Sequence, residues 1–214
     1  MRGGAAQVAD KKSDLHGKAP DSSPVALLLI DVINDLNFPG NRYLVKTAVP
    51  MARRIAALKK RARALNIPVI YVNDNFGKWR SDFRKLVSHC LSDDVPGCKV
   101  VQFLAPDDDD YFVLKPKHSG FFSTTLDTLL KHLQVETVIL AGMAANVCIL
   151  FTANDAFMRD YNLVVPRDCV ASATPQENRY ALQHLEKVLH ADTRPSSKLA
   201  LEKLKRQGKG SRNK

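Results

Sequence analysis

Residues 137–168 read TVILAGMAANVCILFTANDAFMRDYNLVVPRD. TVILAG (137–142) is a continuous apolar run, of the kind that forms a strand buried on both faces. AGMAANV (141–147) supplies small residues for a tight turn. Cys148–Tyr161 then reads as a helix, and NLVVPRD (162–168) as a second strand. Strand, turn, helix and strand in that order make a βαβ unit, whose strands run parallel.

The same alternation extends upstream and downstream. ALLLID (26–31), VIYVND (69–74, after Pro68) and FVLK (112–115) read as further strands. Val45–Leu65, with Val49, Ile55, Leu58 and Leu65 set among Arg and Lys, reads as an amphipathic helix. Thr124–Leu133, with Leu126, Leu129, Leu130 and Leu133 at helical spacing, reads as another. Pro175–Leu189 closes the series, with Leu182, Leu185 and Leu189 on one stripe. The expected fold is α/β, a mostly parallel sheet with helices on both faces. In such sheets ligands bind beyond the carboxyl ends of the strands.

Length suits one domain with tails: 1–22 an N-terminal tail expected to be disordered, 23–195 the folded domain, and 196–214 a basic C-terminal tail. The net charge is +10, and seven basic residues against the single acid Glu202 put much of it after Pro195. No aromatic is interleaved there, so a base-stacking surface is not expected. The tail reads as solvated, and nucleic acid is not an expected partner. The N-terminus has no apolar stretch of signal-peptide type, and no run is long enough to span a bilayer. A cytoplasmic protein is expected, without membrane association, and its four cysteines as free thiols. Asp107–Asp110 reads as a solvated acidic loop. Cys90 and Cys169 read as packing residues, and Cys98 as a loop residue without a partner.

Asp31, Asp74, Lys115 and Gly142 each fall at or just after a strand end, so the topology delivers polar groups to one edge of the sheet. Cys148 lies between a strand and a helix. A helix N-terminus there favours thiolate, so its pKa is expected below the free value of about 8.5. The turn's N–H groups could receive an oxyanion. Each of the three chemical residues has a plainer reading in isolation: a buried small hydrophobe for Cys148, a cap for Asp31, a solvated strand end for Lys115.

Three segments together resemble the isochorismatase-like cysteine hydrolases, the group that includes nicotinamidases and N-carbamoylsarcosine amidohydrolase. They are LLLIDVINDL around Asp31, KPKHSGFFSTTLDTLLKHLQVETVILAG beginning at Lys115, and GMAANVCILFTANDAFMRDYNLVVPRDCVAS around Cys148. The resemblance covers about residues 25–193. It implies a three-layer α-β-α sandwich on a six-stranded, mostly parallel sheet. It also implies Asp31 as general base, Lys115 as electrostatic partner and Cys148 as nucleophile. A non-proline cis peptide between Met143 and Ala144 is implied too, with the Ala144 and Cys148 N–H groups as oxyanion hole.

Ile33 stands where the family has Gln, Ala145 where Thr is common, and Phe76 where nicotinamidases carry a metal-binding His. No metal and no cofactor are therefore expected, and nicotinamidase activity is not. Asp74, Asn75, Trp79, His118 and Phe121 are the candidate substrate-pocket residues. The expected reaction is hydrolysis of a small amide, carbamoyl or related C–N substrate through a thioester, in a homo-oligomer. The rivals are vinyl-ether hydrolysis, whose enzymes generally lack the cysteine, and a non-catalytic scaffold on the same fold.

Overall fold

A computed structural model of the chain describes residues 22–74, 82–91 and 94–210, with residues 207–210 described by backbone alone. Strand β1 (Val25–Ile30) lies at the centre of the sheet and is wholly buried. Around it stand β2 (Val69–Asp74), β3 (Tyr111–Lys115), β4 (Thr137–Met143), β5 (Asn162–Val164) and β6 (Val170–Ala171). Their order is β3-β2-β1-β4-β5. β6 pairs with the carboxyl half of β4 (Gly142 with Val170), beyond the half that pairs with β5. Every pairing is parallel, as the βαβ pattern requires.

Successive side chains of β1 enter opposite layers, and both are apolar. Val25, Leu27 and Leu29 share a core with helix α1 (Arg42–Ala64) and with α3 (Cys98–Leu104). The short α2 (Phe83–Cys90) contributes Phe83 and Cys90 to the same core. Ala26, Leu28 and Ile30 pack with α4 (Leu126–His132), α5 (Leu150–Phe157) and α6 (Pro175–Lys187). Burial on both faces is the reason the strand reads as an unbroken apolar run. Among the described residues, no helix is long and apolar enough to cross a membrane.

The C-terminal segment corrects the expectation of a solvated tail. A 3₁₀ turn (Ser196–Lys198) leads into α7 (Leu201–Gly210). Leu199 and Leu201 are buried in the first core, and Leu204 packs against it. Ser196 donates from its N–H (2.7 Å) and its hydroxyl (2.8 Å) to the Asp168 carboxylate. Arg61 donates to the carbonyls of Ser196 (2.7 Å) and Leu199 (2.5 Å). The Lys205 ammonium meets the carbonyl of Leu65, just past the end of α1. The segment's net charge conceals three leucines that cover the core, while its Lys205 finds main-chain carbonyls near a helix C-terminus. Residues 1–21, the expected N-terminal tail, lie outside the described residues.

The acidic run is corrected in part. The Asp110 side chain is buried, 2.6 Å from the Lys59 ammonium and 2.7 Å from Arg63. Asp107 lies 2.9 Å from Lys59, while Asp108 and Asp109 are exposed. Lys59 reaches this loop from α1, so no local pattern announces the pairing. Cys98 is likewise not a loop residue without a partner. It opens α3, is buried, and its sulfur accepts from the Gln102 amide at 3.2 Å.

Candidate active site

Strand register brings the chemical residues together. Ile30 pairs with Val72 on one side and Gly142 on the other, so Asp31 leaves β1 beside the turn that leaves β4. Gly142 has φ +127°, and a Cβ there would lie 2.0 Å from the Ile30 carbonyl oxygen. Only glycine permits this approach. Asp31 itself has φ +53°. Its carboxylate accepts from the Asp74 N–H at 2.8 Å, which ties it to the end of β2. Asp74 in turn is in register with Lys115 on β3.

The Lys115 ammonium is fully buried and lies 2.9 Å from Asp31 Oδ2 and 3.6 Å from Asp74 Oδ2. It donates to the Lys117 carbonyl (3.2 Å) and to Cys148 Sγ (3.5 Å). A buried cation is tolerable only with such partners. After β4 the Met143–Ala144 peptide is cis, and Ala145–Ile149 forms a π-helical turn before α5. Cys148 therefore sits within that turn and not at the first residue of an ordinary helix.

The electrostatics revise the expectation of a standing thiolate. The Cys148 thiol is pushed up to about 12, by burial first and then by the Asp31 carboxylate, with Lys115 pulling the other way. The Asp31 carboxyl is also raised. Burial outweighs the lowering by Lys115 and by hydrogen bonds from Cys148, Lys115 and the Asp74 backbone. Burial works against the charge on Lys115, but Asp31, Cys148 and Asp74 prevail and hold its pKa above the ordinary lysine value. The thiol therefore stands beside a carboxyl whose own pKa is raised and a lysine whose charge is favoured.

The other candidate residues scatter. Asp74 joins the cluster. His118 is exposed, its ring 5.5 Å from that of Phe151. Phe121 is buried in the second core, 6.0 Å from Tyr161 and beneath the Arg159 guanidinium. The cause is the turn before it. The Ser119 hydroxyl accepts from the Phe121 N–H at 3.1 Å and bonds to Asp155 on α5, turning the ring inward. Asn75, Phe76 and Trp79 lie outside the described residues. Among the described residues no three His, Cys, Asp or Glu side chains are grouped to hold a metal.

Sequence reading missed Thr152. Its buried hydroxyl donates to the Cys148 carbonyl at 2.6 Å. A threonine four residues after a helical cysteine carries that possibility in its spacing.

A sequence profile of the isochorismatase domain matches residues 25–193. The chain is 42% identical over 167 residues to the isochorismatase family protein YaaI of Bacillus subtilis, across 78% of this chain and 91% of that one. It is 30% identical over 195 residues to the ureidoacrylate amidohydrolase RutB of Methylobacterium radiotolerans, across 78% and 75% respectively. Among solved structures, N-carbamoylsarcosine amidase from Thermoplasma acidophilum aligns with TM-score 0.61 at 26% identity, over 82% of this chain and 98% of that one.

Proposed function

The chain belongs to the isochorismatase family of hydrolases, and from that premise we propose that it cleaves a small amide, carbamoyl or related C–N substrate through a thioester on Cys148. The observation that carries this reading is the position of one buried ammonium, 2.9 Å from Asp31 and 3.5 Å from the Cys148 sulfur.

The steps follow from that arrangement. As Cys148 Sγ attacks the carbonyl carbon, its proton passes to Asp31, whose raised pKa narrows the gap to the thiol. An S–C bond forms and the carbonyl π pair moves to oxygen. The Ala144 and Cys148 N–H groups receive that oxyanion, each such donor being worth roughly 10²–10³ in rate. Lys115 balances the negative charge that the thiol, the carboxylate and the oxyanion share in turn. Collapse breaks the C–N bond, and the amine leaves with the proton held by Asp31. Water then attacks the thioester and gives a proton to Asp31. The sulfur departs and takes that proton back, releasing the acid and restoring the site.

The substrate's carbonyl is what makes a nucleophile beside N–H donors useful. Vinyl-ether hydrolysis needs an acid to protonate carbon and has no use for the thiol. The test is Cys148→Ala, assayed against a panel of amides, carbamoyl compounds and ureides that the wild type hydrolyses. A folded, inactive variant is the expected result. Turnover at the wild-type rate would exclude covalent catalysis.

A further inference from the structure

The loop that follows Lys115 is held against the helix that follows Cys148, and one side chain makes the connection. Thr152 is fully buried on α5. Its hydroxyl donates to the Cys148 carbonyl at 2.6 Å and accepts from the Gly120 N–H at 3.0 Å. The first bond alone is ordinary, because a threonine in a helix often bonds back to the carbonyl four residues earlier. The second is not local. It crosses 32 residues of sequence to the loop that opens with the site lysine.

The loop has little freedom to adjust. A Cβ on Gly120 would lie 2.9 Å from Val72 Cγ1 and 3.4 Å from Thr152 Cγ2, so the loop backbone presses on both β2 and α5. Thr124 caps the same turn by donating to the Gly120 carbonyl at 2.5 Å. Ser119 adds a neighbouring tie to α5 through Asp155. The Lys115 ammonium is itself bonded to this loop, at the Lys117 carbonyl. A rigid path thus runs from the lysine, through the loop, to the carbonyl of the cysteine.

We propose that Thr152 is a positioning residue whose hydroxyl fixes the nucleophile turn against the lysine loop and keeps the Cys148 thiol within reach of the Lys115 ammonium. It touches no reacting atom and acts through the placement of Cys148. The inference rests on the reading of Cys148 as nucleophile. Without the hydroxyl, the Gly120 N–H loses its acceptor and the turn is free to move away from the lysine. The thiol then keeps its carboxylate neighbour while losing part of the cation that eases its ionisation.

The test compares wild type with Thr152→Val, which keeps the shape, and Thr152→Ser, which keeps the hydroxyl. Iodoacetamide alkylation of Cys148 is followed against pH by peptide mass. In Thr152→Val the profile is expected to move up by about one unit, an approximately tenfold slower reaction at fixed pH below the midpoint. The value of kcat is expected to fall by about tenfold to a hundredfold with KM nearly unchanged, as for a small misplacement of a reacting group. Thr152→Ser should restore both within about threefold, which a role in packing alone does not predict. Should Val unfold the chain, Thr152→Ala carries the same comparison. An unshifted or downward-shifted profile in Thr152→Val, or equal damage from Val and Ser, would overturn the proposal. Alkylation needs no substrate, so it decides the role of Thr152 even if the wild type hydrolyses none of the amides, a result that would overturn the reaction and not the clamp.

Discussion

Two buried lysines stand at opposite ends of β3 and are built from nearly the same parts. Lys59 reaches from α1 to Asp110, the residue before the strand begins, and Lys115 closes the strand. Each meets two aspartates. Lys59 has Asp110 at 2.6 Å, Asp107 at 2.9 Å, the Tyr71 hydroxyl at 2.9 Å and the Ala105 carbonyl at 3.1 Å. Lys115 has one carboxylate at 2.9 Å, and its remaining partners stand at 3.2–3.6 Å, one of them a sulfur. An ammonium has three protons to donate. Around Lys59 short oxygen contacts take them all, which makes a latch. Around Lys115 a weak acceptor, the Cys148 sulfur, occupies one position. On the proposed reading the same residue types serve stability at one end of a strand and chemistry at the other, and the difference lies in how completely the cation is satisfied.

Neutralising one charged partner in each cluster separates the two roles. Asp31→Asn is expected to lower kcat by about 10²–10⁴ while leaving the protein folded. Asn keeps the shape, Asp74 remains as a counter-charge, and neutralisation lifts the cost of burial that raises this carboxyl. Steady-state kinetics beside a thermal melt decide the matter. A variant that keeps its activity, or one that merely unfolds, would erase the distinction.

Lys59→Met should do the opposite. It leaves the buried Asp110 carboxylate beside Tyr71 with Arg63 and the Asp107 N–H as partners, at a cost of about 3 kcal/mol in denaturant unfolding. Turnover per folded molecule should stay within about twofold, this end of β3 having no part in proton transfer. Loss of activity in the folded fraction would mean that β3 couples its two ends.

Removal of residues 196–214 extends the same contrast. Helix α7 joins the core on the Lys59 side of the sheet, and burial of Leu199 and Leu201 is worth roughly 1.5–3 kcal/mol for each side chain. A lower melting temperature with kcat intact is expected, and an unchanged melt would show that the segment is only apposed.

A smaller effect separates the clusters by pH. The Asp107 carboxyl is held below its ordinary value, first by its hydrogen bond from Lys59, despite some burial. Its contribution is present above the unfolded value of about 3.8 and is lost as pH falls through the folded one. Asp31, raised by burial, has the reverse sign: its contribution is complete below the unfolded value and is lost as pH rises through the folded one. Stability measured from pH 6 to pH 2 should therefore lose part of its acid limb in Asp107→Asn. Because Asp107 is half exposed, the change should be slight. An acid limb identical to wild type would remove Asp107 from the latch.

What could be read from sequence followed from how local the cause was. β1 and β4 are apolar on both faces, and that alone marks them as central strands of a covered sheet. Alternation places the strand ends that carry Asp31 and Lys115 on one edge, while the roles expected of them came from the family resemblance. Two-residue β6 and the short α2 and α3 have no periodicity to read. The Asp110 latch depends on Lys59 and Tyr71, far away in sequence, and the docking of α7 depends on a core formed by other helices. The ionisation of Cys148 runs against its local sequence for the same reason. That sequence suggests a favourable helix end, whereas burial and the Asp31 carboxylate, just past β1, push the thiol up.

Acylation of Cys148 can be caught by rapid acid quenching followed by peptide mass analysis. During turnover of a hydrolysed amide, the peptide containing Cys148 should gain the mass of the substrate's acyl group, and the adduct should vanish in Cys148→Ala. Slower decay of that adduct in Asp31→Asn would place the base in the water step as well. Turnover with no acyl mass on Cys148 under conditions that trap a thioester, together with an active Cys148→Ala protein, would contradict the account.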